Sequence, residues 1–141
     1  MEKARVLLVD DETEFLQSLV KVLSRRGLDV EGVTSGVQAL ERMGQDRFDV
    51  VVLDLMMPEM DGMETLRHIK ANWPDTEVIL LTAVGSVELG LQGMGAGAFD
   101  YVLKPMDVEE LVEKIKQAHE RSWLQWEASI QWIPPGEDQG G

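Results

Sequence analysis

The chain has 141 residues, which fits one domain, and 44% of them are hydrophobic, enough to fill a core. Its formal net charge of −13 argues against direct binding to nucleic acid, because phosphate contacts need basic patches. The lack of cysteine excludes disulfides and thiolate metal sites. No stretch reaches the roughly 18 apolar residues of a membrane span, and the N-terminal apolar run is too short for a signal peptide. These properties predict a cytoplasmic protein without a membrane segment.

Short apolar runs alternate with helical periods along the chain. The runs predict strands at residues 5–9, 29–33, 48–53, 77–82 and 99–103. The periods predict helices at residues 12–26, 62–72, 86–98 and 107–121, and a further helix that Ser35 caps and that buries Val37, Leu40 and Met43. This alternation implies right-handed crossovers and a parallel sheet with helices on both faces.

The fourth helical segment is unusually rich in glycine. It carries Gly90, Gly93, Gly95 and Gly97, and each interior glycine costs a helix about 1 kcal/mol relative to alanine. We therefore expect this helix to be short, frayed or mobile. The alternative is that packing against the sheet overrides the low helix propensity.

The C-terminal segment, residues 122–141, departs from the repeat and holds three of the four tryptophans: Trp123, Trp126 and Trp132. Trp123, Trp126 and Ile130 continue the helical spacing of the fifth helix. The pair at Pro134 and Pro135 stops any helix, and the residues after it are expected to be disordered. The tryptophans either fold back on the domain's own surface or form a contact for a partner or a second copy.

Polar side chains stand at the carboxyl ends of the predicted strands. Asp10 and Asp11 follow the first strand, Asp54 the third, Thr82 ends the fourth, and Lys104 follows the fifth. If the strand order is 2-1-3-4-5, the aspartates converge in one crevice beside the point where strand order reverses. Clustered carboxylates repel one another unless a cation joins them, and oxygen ligands beside a phosphate site suit Mg²⁺.

Each of these motifs also has a simpler structural explanation. Asp11 and Glu14 form a capping box for the first helix, Asp54 can open a turn, and Lys104 with Pro105 can be a plain exit from a strand. These explanations do not account for the coincidence of all the polar groups at one edge of one sheet.

Four segments, VLLVDDE, VVLDLMMPEMDG, LLTA and GAFDYVLKP, occur in this order. Together they resemble the receiver domain of two-component response regulators, over about residues 6–121. The resemblance implies an α/β, flavodoxin-like (βα)5 fold: a doubly wound parallel sheet with strand order 2-1-3-4-5. We accordingly divide the chain into a receiver domain, 1–121, and a tryptophan-containing tail or start of a linker, 122–141.

The resemblance also implies roles for individual residues. Asp54 corresponds to the phosphoacceptor, and the Mg²⁺ ligands would be Asp10, Asp11, Asp54 and the backbone carbonyl of Met56. Lys104 corresponds to the phosphate-contacting lysine, and Pro105 to the cis-proline that follows it. Thr82 and Tyr101 match the pair that switches on phosphorylation. We also expect the side chains of Met56 and Val84 to tune the lifetime of the phosphoryl group by admitting or excluding water.

By this resemblance, a sensor histidine kinase would donate a phosphoryl group from its phosphohistidine to Asp54. The protein would not be a conventional enzyme, although it would promote its own phosphotransfer and autodephosphorylation. Its fourth helix, fifth strand and fifth helix would form the face that changes and that contacts an output domain or a second copy, together with the tryptophan tail. The alternative is a receiver fold used only for docking or dimerisation, independently of phosphorylation.

Two families with related folds fit the sequence less well. A haloacid-dehalogenase-like phosphatase needs a second acid two residues after the nucleophile, where this chain has Met56. A flavodoxin needs a Ser/Thr/Gly-rich phosphate loop after the first strand, where the acidic DDETE would repel a phosphate.

Overall fold

A computed structural model describes residues 3–57 and 62–131 of the chain. The strands are β1 (Arg5–Val9), β2 (Asp29–Val33), β3 (Val50–Asp54), β4 (Glu77–Ala83) and β5 (Asp100–Lys104). The helices are α1 (Thr13–Arg25), α2 (Gly36–Gln45), α3 (Gly62–Asn72), α4 (Val87–Gly95) and α5 (Val108–Gln131). A short 3-10 turn, Val84–Ser86, precedes α4.

The five strands form one parallel sheet in the order β2-β1-β3-β4-β5. This order confirms the expected flavodoxin-like fold. It makes β1 and β3 direct neighbours, with Val9 paired to Leu53, so that the residues following both strands emerge at the same edge. The order reverses between β1 and β3, and ligands of such sheets bind beside that point.

Each face of the sheet is covered by helices, because successive residues of a strand point to opposite faces. Leu8 packs with α1 and α5, whereas Leu7 packs with α2 and α3. This double burial explains why the inner strands β1, β3 and β4 are mainly apolar runs without polar alternation. In α1 and α5 the buried residues include Leu16, Leu19, Leu23, Leu111, Val112 and Ile115.

Helix α2 corrects one part of the sequence prediction. Ser35 caps it as expected, since its side chain accepts a hydrogen bond from the backbone N–H of Gln38. The buried residues are Gly36, Ala39 and Met43. Met43 is thus buried as expected and Leu40 packs partly against the core, but Val37 does not face inward. Val37 is therefore 46% exposed, because it lies about 100° around the helix from Gly36.

The start of α1 also differs from the capping box that the sequence suggests. Its N-cap residue is Glu12, and in the described part of the chain no side chain caps the helix. The capping box of Asp11 and Glu14 is therefore not formed. Gly27 follows the helix end with φ +86°, a backbone conformation that favours glycine.

Helix α5 continues well past the expected end at residue 121 and reaches Gln131. Trp123 and Trp126 are half-buried, their ring centroids lie 5.3 Å apart, and the guanidinium of Arg47 lies 5.8 Å from the centre of the Trp126 ring. This contact brings Trp126 against the domain's own surface, as the fold-back alternative expects. Leu124 and Ile130 remain 55% and 60% exposed. Trp132, Pro134 and Pro135 lie outside the described residues.

Two buried carboxylates attach α5 to the amino-terminal edge of the sheet. Glu77, at the start of β4, lies 3.0 Å from Arg121 Nε and 3.0 Å from Lys70 Nζ. Asp49, just before β3, accepts a hydrogen bond from the backbone N–H of Arg5 and lies 3.7 Å from His119 Nε2. The second half of α5 is therefore part of the folded domain.

Candidate functional site

Three charged side chains meet where β1, β3 and β5 end. Asp10 directly follows β1, Asp54 is the last residue of β3, and Lys104 is the last residue of β5. Lys104 Nζ lies 2.7 Å from Asp10 Oδ2 and 3.7 Å from Asp54 Oδ2. Both carboxylates are buried, with 2% and 4% of their residue surface exposed. A cation is thus already paired with two acids that would otherwise repel each other.

The backbone around Asp54 is fixed by a turn that begins at once. The N–H of Met56 donates to Asp54 Oδ1 at 2.9 Å, and the N–H of Leu55 donates to the carbonyl of Leu81 at 3.1 Å. Gly62, at the start of α3, packs directly on this turn: a Cβ there would lie 2.5 Å from Leu55 Cα and 2.8 Å from the Asp54 carbonyl oxygen. Only glycine allows α3 to begin so close to the acidic residue.

The electrostatics of Asp54 show an incompletely compensated charge. Burial raises the pKa of its carboxyl group, the hydrogen bond from Met56 N–H opposes that rise, and the charge of Asp10 adds to it. The charge of Lys104 lowers the pKa, but the net shift is upward. An additional cation at this position would favour the ionised carboxylate.

The Lys104 ammonium is held in its charged form. Burial lowers the pKa of Lys104, but its hydrogen bond to Asp10 and the charges of Asp54 and Asp10 outweigh burial, and the net shift is upward. Lys104 Nζ also lies 3.5 Å from Glu12 Oε1 and 4.4 Å from the centre of the Phe15 ring.

Three carboxylates lie close enough to share one metal ion: those of Asp10, Glu12 and Asp54, whose oxygens lie within 4.8 Å of one another. This all-oxygen set, with two members buried, fits a hard divalent cation such as Mg²⁺. Glu12 is the residue that sequence reasoning missed. Its backbone N–H donates to Asp10 Oδ1 at 2.9 Å, which keeps the residue beside the crevice, and the signal for it was the third consecutive acid in DDE.

Asp11, which the resemblance implies as a further Mg²⁺ ligand, directly follows Asp10 in the chain. Its side chain is exposed, and its carboxylate is not part of the three-acid group. It is still near enough for its charge to raise the pKa of Asp54. The structure therefore brings Asp10 and Asp54 together and leaves Asp11 at the rim.

The remaining predicted residues surround this crevice. Thr82 is fully buried, and its hydroxyl donates to the carbonyl of Ser86 at 2.9 Å. Tyr101 is half-buried on β5, and Met56 is 55% exposed beside Asp54. The peptide bond between Lys104 and Pro105 is cis. Val84 begins the 3-10 turn after β4; the orientation of its side chain is outside what the structure describes.

A comparison with protein families assigns the chain. A family model described as "Response regulator receiver domain" matches residues 6–116. The chain belongs to the response regulator receiver family. Receivers are parts of two-component signalling systems, and as a family they are not conventional enzymes. In the described ranges 3–57 and 62–131, no helix of this receiver combines the length and apolarity needed to cross a lipid bilayer.

Curated relatives of this receiver include the response regulator MprA of several mycobacteria. MprA of Mycobacterium leprae is 43% identical over 112 residues, which cover 79% of this chain and 49% of that protein. MprA of Mycobacterium ulcerans is 40% identical over 121 residues, covering 86% of this chain and 52% of that protein. The chain thus spans about half the length of these relatives.

Solved structures give the same assignment. A receiver domain from Clostridium thermocellum has a TM-score of 0.83 at 34% identity and covers 86% of this chain and 98% of its own. NtrX from Brucella abortus, in complex with ADP, has a TM-score of 0.86 at 26% identity and covers 96% of this chain and 31% of its own. The isolated NtrX receiver covers only 82% of this chain. The longer NtrX chain therefore matches more of the chain described here than the isolated NtrX receiver does.

Proposed function

We propose that this receiver accepts a phosphoryl group on Asp54 from a sensor histidine kinase, in a reaction that depends on Mg²⁺. The observation that carries the proposal is the buried Asp54 carboxylate at a strand end, 3.7 Å from Lys104 and beside Asp10. A carboxylate fixed at a strand end, a fixed cation and neighbouring acids that could share a metal ion match the requirements of phosphoryl transfer, which are positioning and charge neutralisation.

In the proposed reaction, an oxygen of the Asp54 carboxylate attacks the phosphorus of the phosphohistidine in line. The phosphorus–nitrogen bond breaks, and its electron pair returns to the imidazole of the kinase. Lys104 neutralises negative charge on the phosphoryl oxygens, which requires it to turn part of its contact from Asp10 to the new group. Autodephosphorylation would follow when water attacks the same phosphorus and the phosphorus–oxygen bond to Asp54 breaks, which releases inorganic phosphate and the free carboxylate. Met56 and Val84 would control the access of that water.

The metal ligands that we propose are Asp10, Asp54 and the backbone carbonyl of Met56, with Asp11 or Glu12 as the further acid. When bound, Mg²⁺ would supply the positive charge that compensates the phosphoryl oxygens and the clustered carboxylates. Glu12 already lies within the three-acid group, whereas Asp11 would bind only after its exposed side chain turned inward or through water.

The proposed switch begins at Thr82. Its hydroxyl donates to the carbonyl of Ser86 and would turn to the phosphoryl oxygens instead. Tyr101 would then move towards the space beside Thr82 and change the surface formed by α4, β5 and α5. That surface includes the exposed apolar side chains of Leu91 and Met94, which suits contact with an output domain or a second copy.

An apolar groove of about 530 Å³ beside Lys104 supports a protein as the phosphoryl donor. It lies between α1 and the start of α5, and its lining includes Phe15, Leu19, Pro105, Met106 and Val108. A kinase domain docked there would bring its phosphohistidine to the crevice. For the tail, residues 122–141, we propose that its first part belongs to α5 and that a linker begins after the helix, in keeping with the longer relatives.

The test is phosphorylation by acetyl phosphate with Mg²⁺, followed by intact mass. We expect one added phosphoryl group on the wild type and none on Asp54→Asn or on the wild type in EDTA. Labelling of the Asp54→Asn variant would move the acceptor elsewhere. A wild type that is never labelled would instead support the alternative, a receiver fold used for docking alone.

A further inference from the structure

Two glycines bring the backbone of α4 directly onto the sheet. Gly90 and Gly93 are both buried, and they are three residues apart, so they face the sheet from one side of the helix. A Cβ at Gly93 would overlap Leu80 Cδ1, whereas a Cβ at Gly95 would meet nothing within 4 Å. Gly90 and Gly93 therefore allow α4 to pack closely on the sheet, whereas Gly95 has no such packing role.

Gly90 lies against both residues of the proposed switch. A Cβ at this position would lie 3.3 Å from Cγ and from Cδ2 of the Tyr101 ring and 3.4 Å from Cγ2 of Thr82. Ordinary carbon–carbon contacts are about 3.5–4.0 Å, so a methyl group would press on the Tyr101 ring and reach contact distance from Thr82. Thr82 and Tyr101 lie on the neighbouring strands β4 and β5, so the methyl group would reduce the space that these two side chains share beneath α4.

We propose that Gly90 is a positioning residue for Tyr101: its missing side chain leaves the room in which the Tyr101 ring moves relative to Thr82. The inference rests on the proposed function for its signalling role. The ring is half-buried, packed at the margin of the core that contains Leu80. Any movement of the ring edge that faces α4 must use the space beside Gly90.

The chain offers a direct test because Tyr101 is its one tyrosine. Protein with ¹³C-labelled tyrosine rings gives a single set of aromatic signals, and relaxation dispersion reports ring movement on the microsecond-to-millisecond scale. In the unphosphorylated protein, we expect an exchange contribution in the wild type, its loss in Gly90→Ala, and its retention in Gly95→Ala. The last variant adds the same methyl group to the same helix without a contact.

Rescue distinguishes positioning of the ring from general damage to the fold. Thr82→Ser keeps the hydroxyl and removes Cγ2, so the double variant Thr82→Ser/Gly90→Ala gives α4 room to retreat from the ring. We expect the exchange of the Tyr101 signals to return in it. No exchange in the wild type, equal exchange in Gly90→Ala, or no recovery in the double variant would each overturn the proposal.

The resting-state measurement separates this proposal from the function on which it builds. If the wild type were never phosphorylated, the proposed function would fail. The comparison of the wild type with Gly90→Ala would still show whether Gly90 controls the movement of the Tyr101 ring. If Gly90→Ala did not fold, the wild type alone would decide. The amide of Gly90 and the ring of Tyr101 should then exchange at one shared rate, and different rates would overturn the proposal.

Discussion

At the scale of single residues, Asp54 carries a charge that the fold does not fully compensate. Burial is the largest cause of its raised pKa, and Lys104 offsets only part of it. A carboxyl group whose pKa is higher in the folded than in the unfolded state reduces stability as the pH rises through these two values, and the penalty is complete above the folded-state pKa. The ionised Asp54 side chain therefore lowers the stability of the fold.

From this follows the first prediction. Asp54→Asn should raise the midpoint of thermal unfolding by a few degrees at pH 7 in EDTA. The difference from the wild type should become smaller as the pH is lowered, because the wild-type carboxyl group is then protonated too. Calorimetry measures both effects. Glu41→Gln, the same change at an exposed position of α2, is the control and should have no such effect. A variant less stable than the wild type would contradict the argument.

We expect the charge of Lys104 to weaken Mg²⁺ binding and to speed phosphorylation. Its ammonium is 2.7 Å from Asp10 and competes there with a divalent cation. Lys104→Met keeps the length of the side chain and removes the charge, so we expect Mg²⁺ affinity to rise by about tenfold and phosphorylation by acetyl phosphate to slow by about 100-fold. Titration calorimetry and mass spectrometry measure the two quantities.

The matched control is Lys116→Met, on the exposed side of α5, for which neither quantity should change. Weaker Mg²⁺ binding in Lys104→Met would show that Lys104 orders the acids rather than competing for them.

At the scale of elements, α4 shows why composition alone gives an incomplete account of a helix. Its glycines predict a weak helix, and it is indeed short, from Val87 to Gly95. The close approach of Gly93 to Leu80 could not be read from the sequence, since it depends on how the helix lies across β4. The error at Val37 in α2 has the same origin, because Val37 and Ala39 are both apolar and only the position of the sheet decides which of them is buried.

The two types of glycine in α4 lead to a stability prediction. Gly93→Ala should lower the free energy of unfolding by about 1–3 kcal/mol, because the added methyl overpacks the core at Leu80. Gly95→Ala should be neutral or raise it by up to about 1 kcal/mol through helix propensity alone. Urea denaturation of both variants measures the difference. Equal effects would mean that α4 does not pack as described.

At the scale of the whole molecule, much of the architecture could be predicted because the strands are continuous apolar runs and the helices carry clear stripes. The carboxyl-end positions of Asp10, Asp54 and Lys104 followed from the strand order. The position of Glu12 did not, because it depends on a local turn onto Asp10. Nor did the length of α5, where Trp123 and Trp126 fit either a fold-back or a partner contact until their neighbours were known.

The extension of α5 supplies the last prediction. Trp126→Ala removes a half-buried ring and its contact with Arg47, and should lower the free energy of unfolding by about 1–2 kcal/mol. Leu124→Ala, two positions earlier on the exposed side, should change it by less than about 0.5 kcal/mol. Thermal unfolding measures both. If instead Leu124→Ala were the more damaging, and only at high protein concentration, α5 would contact a second copy.

The attachment of α5 also determines where a shortened form of this receiver should end. The family match ends at residue 116, yet Arg121 is one of the two cations beside buried Glu77, and Ser122 is fully buried. A fragment ending at residue 116 would remove the ion pair of Glu77 with Arg121 and would expose the amino-terminal edge of the sheet. Fusions to reporter or effector proteins should therefore join after Gln131, where the helix has left the body of the domain.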